Sequence, residues 1–579
     1  MTKDRRPPDK TVLGKMADAL AHRGPDGRGE YFANNVGLVQ RRLAIIDLET
    51  GDQPLYGPRG TAVVANAEIY NYVELWHDFA DARFATRSDC EPLLHLYARH
   101  GSNFAKHLRG MYAIALHDPS DGRLLLVRDP FGIKPLYYIE TPVGLAFASE
   151  IQALAAAGLA RPALNAAARA ALLQLQYTTG RETVFAEVNR VLPGETLVVR
   201  DGRVVERLRR PALPDHGVAG WSEAEAIARL EDALTGSVKV HQRSDVPYGM
   251  FLSGGIDSSA LLALMAQLND RPVRAYTAGF AGGQVHDERA RARAVAQAVG
   301  AAAVEVEFDE HDFWTLLPRI AASMDDPAAD YATLPTYKLA AAARQDGLKV
   351  ILCGEGGDEL FAGYGRYRSA MRPWWQGGRR MRARGIFDGL GVIRHGLSGW
   401  RDGVTAAEAT ATVKGRSRLQ VAQATDCADW LPNDLLTKLD RCMMAHGVEG
   451  RTPYLDPEVA EVAFRLPDEF KVRGRLGKWL LRGWLDRRLP GVDAFSRKRG
   501  FTVPVAAWIV ARGKTLGPLV AAQPGVAELC DAAAVTGLFQ SRRKRAGIAA
   551  WTLLFYALWH NRHVLGRPQA DDVFETLAA

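Results

Sequence analysis

Two fold classes follow one another along this sequence. An α+β layered domain built on antiparallel sheets precedes an α/β domain with a doubly wound parallel sheet and a helical C-terminal part. The chain has 579 residues, more than one hydrophobic core usually accommodates. Short β-rich runs separated by turn signals fill residues 29–149, whereas strands and helices alternate from Val246 onward, as is typical of a parallel sheet.

In the first part, apolar runs predict short strands, and one stretch clearly predicts a helix. The runs predicted as strands are 36–39, 42–47, 61–65, 111–116 and 123–127, and the helix is expected at 89–99. Residues 206–222 are polar and contain prolines, which is typical of a linker. Ser222 and the acidic residues after it predict a helix start. We therefore predict domains at 1–205 and 223–579, joined by a linker at 206–222.

In the second part, strands are predicted at 246–252, 273–280, 303–308 and 348–353. A helix at 287–299 and helical segments up to about residue 344 separate them. Such a sheet binds ligands at the carboxyl ends of its strands. We therefore expect the functional residues of this part just after residues 252 and 353.

Composition excludes several classes of protein. The chain is 47% hydrophobic and 24% charged, and no apolar run approaches the ~20 residues that span a bilayer. The N-terminus does not resemble a signal peptide. An odd number of cysteines without paired spacing predicts a reducing cytoplasm rather than a disulfide or zinc framework; they are Cys90, Cys353, Cys427, Cys442 and Cys530.

The net charge of +7 is modest for this length, but arginines cluster at 379–384 and 542–545. Such clusters contact nucleic acid or an acidic surface, or they are solvated helix faces. Because no nucleic-acid recognition motif accompanies them, we favour solvated faces and expect neither a nucleic-acid nor a membrane partner.

A glycine-rich loop follows the strand at 246–252 and precedes an apolar helical stretch; it is Ser253-Gly254-Gly255-Ile256-Asp257-Ser258. Glycines allow close approach of a ligand, and the first N–H groups of a helix lack internal partners. Together they favour an anion site, most naturally for phosphate. The Lys-Ser/Thr ending of a Walker loop is absent, and Asp257 suggests a metal ion instead. Taken alone, a plain strand-to-helix turn is the alternative.

Further motifs follow in order, and each alone would be interpreted as a loop or helix. They are Cys353-Gly354-Glu355-Gly356-Gly357-Asp358-Glu359, then residues 444–456, Gly477-Lys478-Trp479 and residues 497–504. The first loop resembles the pyrophosphate loop of enzymes that split ATP into AMP and pyrophosphate. The whole series resembles the synthetase domain of glutamine-hydrolysing asparagine synthetases.

The first part resembles class II glutamine amidotransferase domains, which are of the N-terminal-nucleophile type. Its landmarks are residues 22–27, 41–48, 66–71, 88–91 and 128–137. The resemblance implies that Arg42 binds the α-carboxylate of glutamine and Asp89 its α-ammonium. It also implies that Asn66 and the backbone N–H of Ala67 form the oxyanion hole.

Two departures from that family concern its catalysis. The family begins Met-Cys-Gly-Ile, but no cysteine precedes Cys90 here, and Ala67 stands where the family has glycine. A thiolate attacks the amide in this family, and neither Met1 nor Thr2 replaces it. The missing segment would also be the first strand of the sheet. We expect the reading frame to begin a short distance upstream with that tetrapeptide; the alternative is a vestigial domain, as in β-lactam synthetases.

The resemblance implies an ATP-dependent conversion of aspartate to asparagine through β-aspartyl-AMP, with nitrogen from glutamine or ammonia. It implies a pyrophosphate cradle of Ser253, Gly254, Gly255, Asp257 and Ser258, with Mg²⁺ on Asp257 and Asp358. It further implies Lys478 over the phosphates, Glu355 as the base for ammonia, and a nucleotide pocket lined by Leu252, Ala278, Cys353 and Gly354.

The resemblance also implies a channel for ammonia between the domains and is compatible with a homodimer. Two other functions stay open. One is a related adenylating enzyme acting on another carboxylate, in β-lactam, peptide or polysaccharide tailoring, which would differ near residues 446–456. The other is a catalytically inactive regulatory protein, against which the intact set Asp257, Glu355, Asp358 and Lys478 argues.

Overall fold

The computed structural model describes residues 1–280, 288–496 and 503–579. The strands of the first part are β1 (Gly27–Ala33), β2 (Val36–Arg42), β3 (Leu55–Tyr56), β4 (Ala62–Ile69), β5 (Gly110–Asp118), β6 (Arg123–Arg128), β7 (Tyr137–Thr141), β8 (Gly144–Ala148), β9 (Asn189–Arg190), β10 (Glu195–Arg200) and β11 (Arg203–Arg209). Its helices are α1 (Lys10–Ala19), α2 (Tyr72–Asp78), α3 (Pro92–His100), α4 (Ile151–Ala156) and α5 (Ala166–Leu175).

The main sheet of this part is antiparallel, in the order β11-β10-β6-β5-β4-β3. Alternate residues of β6 enter different cores: Leu124 and Leu126 pack with Val36 and Leu38, whereas Leu125 and Val127 pack against α3. Both faces of the sheet are therefore covered, as alternation of side chains along a strand requires. The predicted antiparallel α+β layered domain is confirmed.

The predicted strand at 42–47 is wrong beyond its first residue. β2 ends at Arg42, whose guanidinium donates to the carbonyl oxygens of Ile46 (3.1 Å) and Asp47 (2.5 Å). The backbone N–H of Ala44 donates to the Asp26 carboxylate at 2.8 Å, and Asp47 has a φ of 54°. These contacts to side chains replace strand pairing, which a local apolar pattern cannot reveal.

The second part carries the strands β12 (Tyr248–Phe251), β13 (Arg274–Phe280), β14 (Ala302–Phe308), β15 (Val350–Leu352), β16 (Glu449–Arg451), β17 (Val472–Arg473) and β18 (Leu476–Gly477). Its helices up to the middle of this part are α6 (Glu223–His241), α7 (Ile256–Leu268), α8 (Arg289–Ala298), α9 (Glu310–Ser323), α10 (Thr333–Gln345), α11 (Gly357–Leu360), α12 (Gly365–Met371), α13 (Asp402–Ala411), α14 (Arg418–Thr425) and α15 (Leu436–Met444), with a π-helix at Asp426–Leu435.

The C-terminal region is helical. It contains α16 (Pro457–Arg465), α17 (Asp468–Lys471), α18 (Trp479–Arg488), α19 (Val505–Ala511), α20 (Gly513–Ala521), α21 (Pro524–Ala527), α22 (Ala532–Phe539), α23 (Lys544–His563) and α24 (Val573–Ala578). α23 is almost wholly buried, with Trp551 and Trp559 in a large apolar cluster.

The parallel sheet has the order β14-β13-β12-β15-β16, and every neighbouring pair in it is parallel. The chain moves outward from β12 to β14 and then returns to the other side of β12 with β15. The strand order therefore reverses between β12 and β15, where a doubly wound sheet binds ligands. The predicted parallel sheet is confirmed; of the helix expected at 287–299, residue 287 lies outside the described residues and α8 accounts for most of the rest.

The two parts share one apolar core and several buried ion pairs. Ile45, Ile46, Tyr70 and Phe131 of the first part pack in one cluster with Leu234, Met250 and Tyr454 of the second. Buried pairs across the same boundary are Glu68–Arg451 (2.7 Å), Lys134–Glu449 (2.8 Å) and Arg23–Asp440 (2.7 Å).

The segment that joins the two parts begins after β11, which continues to Arg209, so four residues of the predicted linker are in a strand. Ser222 caps α6: its hydroxyl accepts from the N–H of Glu225, and the Glu225 carboxylate accepts from the N–H of Ser222. In the described ranges, no helix has both the length and the apolar content that crossing a membrane requires.

Candidate functional site

A glycine-rich turn connects β12 to α7 and forms the first wall of the site. Gly254 has a φ of +68° and lies against the backbone of Ala292, so a side chain there would be both strained and crowded. The hydroxyls of Ser253 and Ser258 lie 3.1 Å apart, and the N–H of Gly255 donates to Ser253 Oγ at 3.2 Å. No side chain caps α7, so the N–H groups of its first turn face the turn and favour an anion.

The second wall is the loop between β15 and α11, and it packs directly on the first. A Cβ at Gly357 would lie 2.6 Å from the Asp257 carboxyl carbon, and one at Gly354 would lie 3.4 Å from Asp257 Cβ. Only a residue without a side chain allows the two loops to approach this closely at position 357. The adjacency of β12 and β15 in the sheet produces this contact.

Lys478 joins the two loops. Its ammonium forms ion pairs with Asp257 and with Asp358, the latter at 2.7 Å, and only 3% of its side chain is exposed. Burial favours the neutral amine, but the carboxylates of Asp257 and Asp358 outweigh it and raise the pKa of Lys478. The structure therefore brings together three of the residues that the sequence singled out, from positions 257, 358 and 478.

Asp257 and Asp358 form a donor set that suits magnesium. Mg²⁺ prefers hard oxygen ligands and is usually held by one or two carboxylates together with substrate phosphates. Two carboxylates that converge on one cationic group meet the protein's share of that requirement. Within the described ranges, no group of three or more His, Cys, Asp or Glu side chains could hold a metal alone, so an ion here needs phosphate or water oxygens.

Glu355 lies between these two aspartates in the chain and faces a second lysine. Burial raises the pKa of the Glu355 carboxyl, and the positive charge of Lys438 opposes that rise. Lys438 is itself buried on α15 and donates to Asp330 Oδ2 at 3.1 Å. A carboxyl with a raised pKa is suited to take up a proton.

The remaining residues assigned to the nucleotide pocket lie on the strands around these loops. Leu252 is buried; its N–H donates to the carbonyl oxygen of Tyr276 at 2.8 Å and its carbonyl accepts from Thr277 Oγ1 at 2.7 Å. Ala278 on β13 and Cys353 after β15 are also buried. They form an apolar floor at the carboxyl ends of three adjacent strands.

Several residues of the site were missed by the sequence analysis. Tyr454 donates its hydroxyl to the carbonyl oxygen of Asp257 at 2.9 Å, and Lys438 and Asp330 act on Glu355. Tyr454 lies inside the 444–456 motif, so that motif was a usable signal. Lys438 and Asp330 are separated by 108 positions in sequence, and no local pattern links them.

The 444–456 motif serves the boundary between the two parts more than the nucleotide loops. Arg451 is fully buried and pairs with Glu68 and Glu449, and Asp456 accepts from Arg109 at 2.8 Å. The ring of His446 packs edge-on against Tyr337. Of the 497–504 motif, residues 497–502 lie outside the described residues.

A cavity of about 140 Å³ in the first part collects the residues assigned to glutamine. Arg42, Asn66, Ala67 and Asp89 all line it, together with Met444 and Glu449 of the second part. Asn66 Nδ2 is buried and has no hydrogen-bond partner among the described residues, so a donor is available there. Burial raises the pKa of Asp89 to about 6, and its Oδ2 accepts from the N–H of Ile69 at 2.7 Å.

Cys90 also lines this cavity but is not suited to attack an amide. The residue is 2% exposed, and burial raises the pKa of its thiol well above the usual range, with the Asp89 carboxylate adding to the rise. A thiol that stays protonated is a poor nucleophile. The cavity thus brings together the residues that the resemblance assigns to glutamine and a thiol unsuited to nucleophilic attack.

Comparison with known proteins relates both parts of the chain to families. Residues 229–561 match the family model of asparagine synthase, and residues 2–208 match the model of a glutamine amidotransferase domain. The asparagine synthetase [glutamine-hydrolyzing] 1 of Bacillus subtilis (strain 168) is 32% identical over 86% of this chain and 84% of its own length. A putative asparagine synthetase [glutamine-hydrolyzing] of Mycobacterium tuberculosis (strain ATCC 25618 / H37Rv) is 33% identical over 95% of this chain and 93% of its own.

Asparagine synthetase B [glutamine-hydrolyzing] of Escherichia coli (strain K12) is 29% identical over 86% of this chain and 79% of its own length. Among solved structures, a glutamine phosphoribosylpyrophosphate amidotransferase from B. subtilis aligns with 51% of this chain and 62% of its own. Its sequence identity is 18% and its TM-score 0.27, and so weak a likeness says nothing about function.

Proposed function

Because the chain belongs to the asparagine synthase family, we propose that this enzyme forms L-asparagine from L-aspartate and ATP through β-aspartyl-AMP. The nitrogen comes from ammonia or, when an N-terminal cysteine is present, from glutamine. The observation that carries the proposal is the meeting of two glycine-rich loops at Lys478, which pairs with Asp257 and Asp358.

In the first step, a β-carboxylate oxygen of aspartate attacks the α-phosphorus of ATP, and pyrophosphate leaves. The uncapped first turn of α7 and the hydroxyls of Ser253 and Ser258 bind the leaving pyrophosphate. Lys478 supplies a positive charge where negative charge develops, which is the largest contribution that a protein usually makes to such a transfer.

Asp257 and Asp358 would hold Mg²⁺ together with phosphate oxygens, and the ion would further neutralise the pyrophosphate charge. The chain's own residues supply the rest of the site. Leu252, Ala278 and Cys353 give it an apolar floor that excludes water, and Tyr454 fixes the loop backbone at Asp257.

In the second step, ammonia attacks the acyl carbon of β-aspartyl-AMP, and AMP leaves as the carbon–nitrogen bond forms. The attacking nitrogen must lose a proton, and Glu355 accepts it. A carboxyl whose pKa is raised by burial holds that proton better than an exposed one would. The positive charge of the nearby Lys438 opposes that rise and favours the ionised form that accepts the proton.

The cavity lined by Arg42, Asn66 and Asp89 supports glutamine as the nitrogen donor. An arginine and a carboxylate match the two charged groups of a free amino acid, and the spare N–H of Asn66 suits an oxyanion. Since Cys90 is not the nucleophile, the hydrolysis itself requires the N-terminal cysteine that the family carries.

The test is a product assay with aspartate, Mg-ATP and ammonium chloride. The enzyme should form asparagine, AMP and pyrophosphate in equal amounts. Asp257→Asn and Asp358→Asn should each reduce pyrophosphate release by at least ~100-fold, because an electrostatic contact to the leaving group is lost. Their circular dichroism should stay unchanged. Near-normal release by either variant would remove that carboxylate from the mechanism.

A further inference from the structure

A π-helix, Asp426–Leu435, lies beside the reaction centre and has no part in the steps above. π-Helical geometry is rare and is frequently found at functional sites. The segment carries Trp430 and Asp434, and α15 with Lys438 continues directly from it. One end of this region is rich in carboxylates and the other in arginines.

The negative end centres on Asp434. Its side chain is 5% exposed, and Oδ2 accepts from Trp430 Nε1 at 2.6 Å. Oδ1 is buried and has no hydrogen-bond partner in the described part of the chain. The carboxylate of Asp330, the ammonium of Lys438 and the guanidinium of Arg382 act on Asp434, and Lys438 also faces Glu355. Burial raises the pKa of Asp434 to about 7; the Asp330 carboxylate adds to the rise, and the positive charges of Lys438 and Arg382 oppose it.

The end of this region that carries arginines centres on Arg382, whose guanidinium lies 5.0 Å from the centre of the Trp430 ring. Arg366 donates to Asp426 Oδ2 at 2.9 Å and thereby neutralises that carboxylate. Arg382 Nη2 lies 3.6 Å from Asp426 Oδ1 but makes no hydrogen bond among the described residues, although it is buried. The buried Asp429 carboxylate also interacts with Arg382, so two guanidinium groups and two carboxylates meet here.

Trp430 thus contacts both Asp434 and Arg382, and each of these residues has a buried polar atom without a hydrogen bond to the described residues. Leaving such groups unsatisfied is costly, and a ligand with one ammonium and one carboxylate would satisfy both. We propose that Asp434 and Arg382 bind the α-ammonium and the α-carboxylate of the amino acid whose side-chain carboxylate is adenylated. This inference rests on the proposed function and specifies the substrate class: an α-amino acid with a free head group.

Two analogues of aspartate separate the contributions of the two residues. Succinate is aspartate without its ammonium, and β-alanine is aspartate without its α-carboxylate. Exchange of labelled pyrophosphate into ATP measures adenylation of each compound without ammonia. An analogue that is not adenylated is compared through its inhibition constant against aspartate.

Asp434→Asn should lower kcat/KM for aspartate by about 10- to 100-fold and weaken the binding of β-alanine by the same factor. This is the value of a charge-assisted hydrogen bond. The binding of succinate, which has no ammonium, should be unchanged in this variant. Arg382→Met should weaken the binding of aspartate and of succinate by a similar factor and leave the binding of β-alanine unchanged. The controls are Asp232→Asn and Arg488→Met, which alter an exposed residue of α6 and a partly exposed residue of α18 and should alter none of these values.

Equal losses with all three compounds, or no loss with any, would overturn the head-group site. A wild-type enzyme that adenylates glutamate but not aspartate would instead overturn the proposed product. In that case glutarate and 4-aminobutyrate replace the two analogues, and the same comparison still decides the roles of Asp434 and Arg382. Wild-type adenylation of succinate as efficient as that of aspartate overturns the head-group site and leaves the adenylation chemistry intact.

Discussion

Replacing Lys478 by methionine removes a positive charge that contacts both loop carboxylates. The substitution keeps an unbranched side chain of similar length in a position that is 3% exposed. Asp257 and Asp358 would then face each other without the ammonium between them. We expect the variant to fold and to lose the first chemical step.

The size of the effect follows from the geometry. Both carboxylates contact the same nitrogen, so they lie within about 5 Å of each other, where two like charges repel by about 3 kcal/mol at an effective dielectric constant of about 20. Losing a preorganised charge opposite a developing anion costs about 3–4 kcal/mol, or about 10²–10³ in rate. We therefore expect pyrophosphate release to fall by about 10²–10³-fold.

The assay is aspartate-dependent pyrophosphate release at saturating Mg-ATP, with thermal unfolding measured in parallel. Lys349→Met is the matched control, because Lys349 precedes β15 and pairs with Asp26 at 2.8 Å, at the opposite end of the strand that leads into the site. Its rate should be unchanged. A Lys478→Met enzyme that keeps more than a tenth of the wild-type rate would refute the role of this charge.

Three further predictions follow from residues described above. Glu355→Gln should retain pyrophosphate exchange into ATP but lower amide formation by about 10²–10⁴-fold; equal losses in both would move Glu355 to the first step. Because burial raises the pKa of the Cys90 thiol well above its usual range, residues 1–579 should use ammonia but hydrolyse no glutamine; an added N-terminal extension that begins Met-Cys-Gly-Ile should confer glutaminase activity, lost again when its cysteine becomes alanine. Lys471 is fully buried, and burial lowers its pKa to about 7. Because the unfolded chain binds this proton up to about pH 10.5, wild-type stability relative to Lys471→Met should rise between pH 7 and 10, by at most about 1.4 kcal/mol per pH unit. A pH-independent difference in the free energy of unfolding would contradict this.

Much of the nucleotide site follows from sequence because its residues sit at fixed offsets from strand ends. Asp257 lies just after the strand ending at Phe251, and Asp358 follows the strand ending at Leu352. Parallel strands bring their carboxyl ends to one edge of a sheet, so the two loops had to be neighbours. Lys478 enters from a separate motif, and only the fold shows that it contacts both carboxylates.

Other features depend on contacts between distant segments and leave no local trace. Residues 43–47 have the apolar composition of a strand, yet Arg42 and Asp26 hydrogen-bond their backbone into a loop. Asp330 precedes α10 and Lys438 lies on α15, so the two meet only in the folded chain. Arg382 belongs to an arginine cluster that the sequence assigns to solvent, but its guanidinium is largely buried beside Trp430.

The shared core of the two parts limits how the chain can be divided. Ile45 and Ile46 pack among residues of the synthetase part, and Arg451, which is fully buried, has Glu68 as a partner from the other part. Cutting the segment between β11 and α6 and separating the halves would expose that apolar surface to water and remove the partner Glu68 from Arg451. The cavity lined by Arg42 and Asp89 would also lose Met444 and Glu449 from its wall. Neither half is therefore a self-sufficient enzyme to be expressed alone or grafted onto another protein.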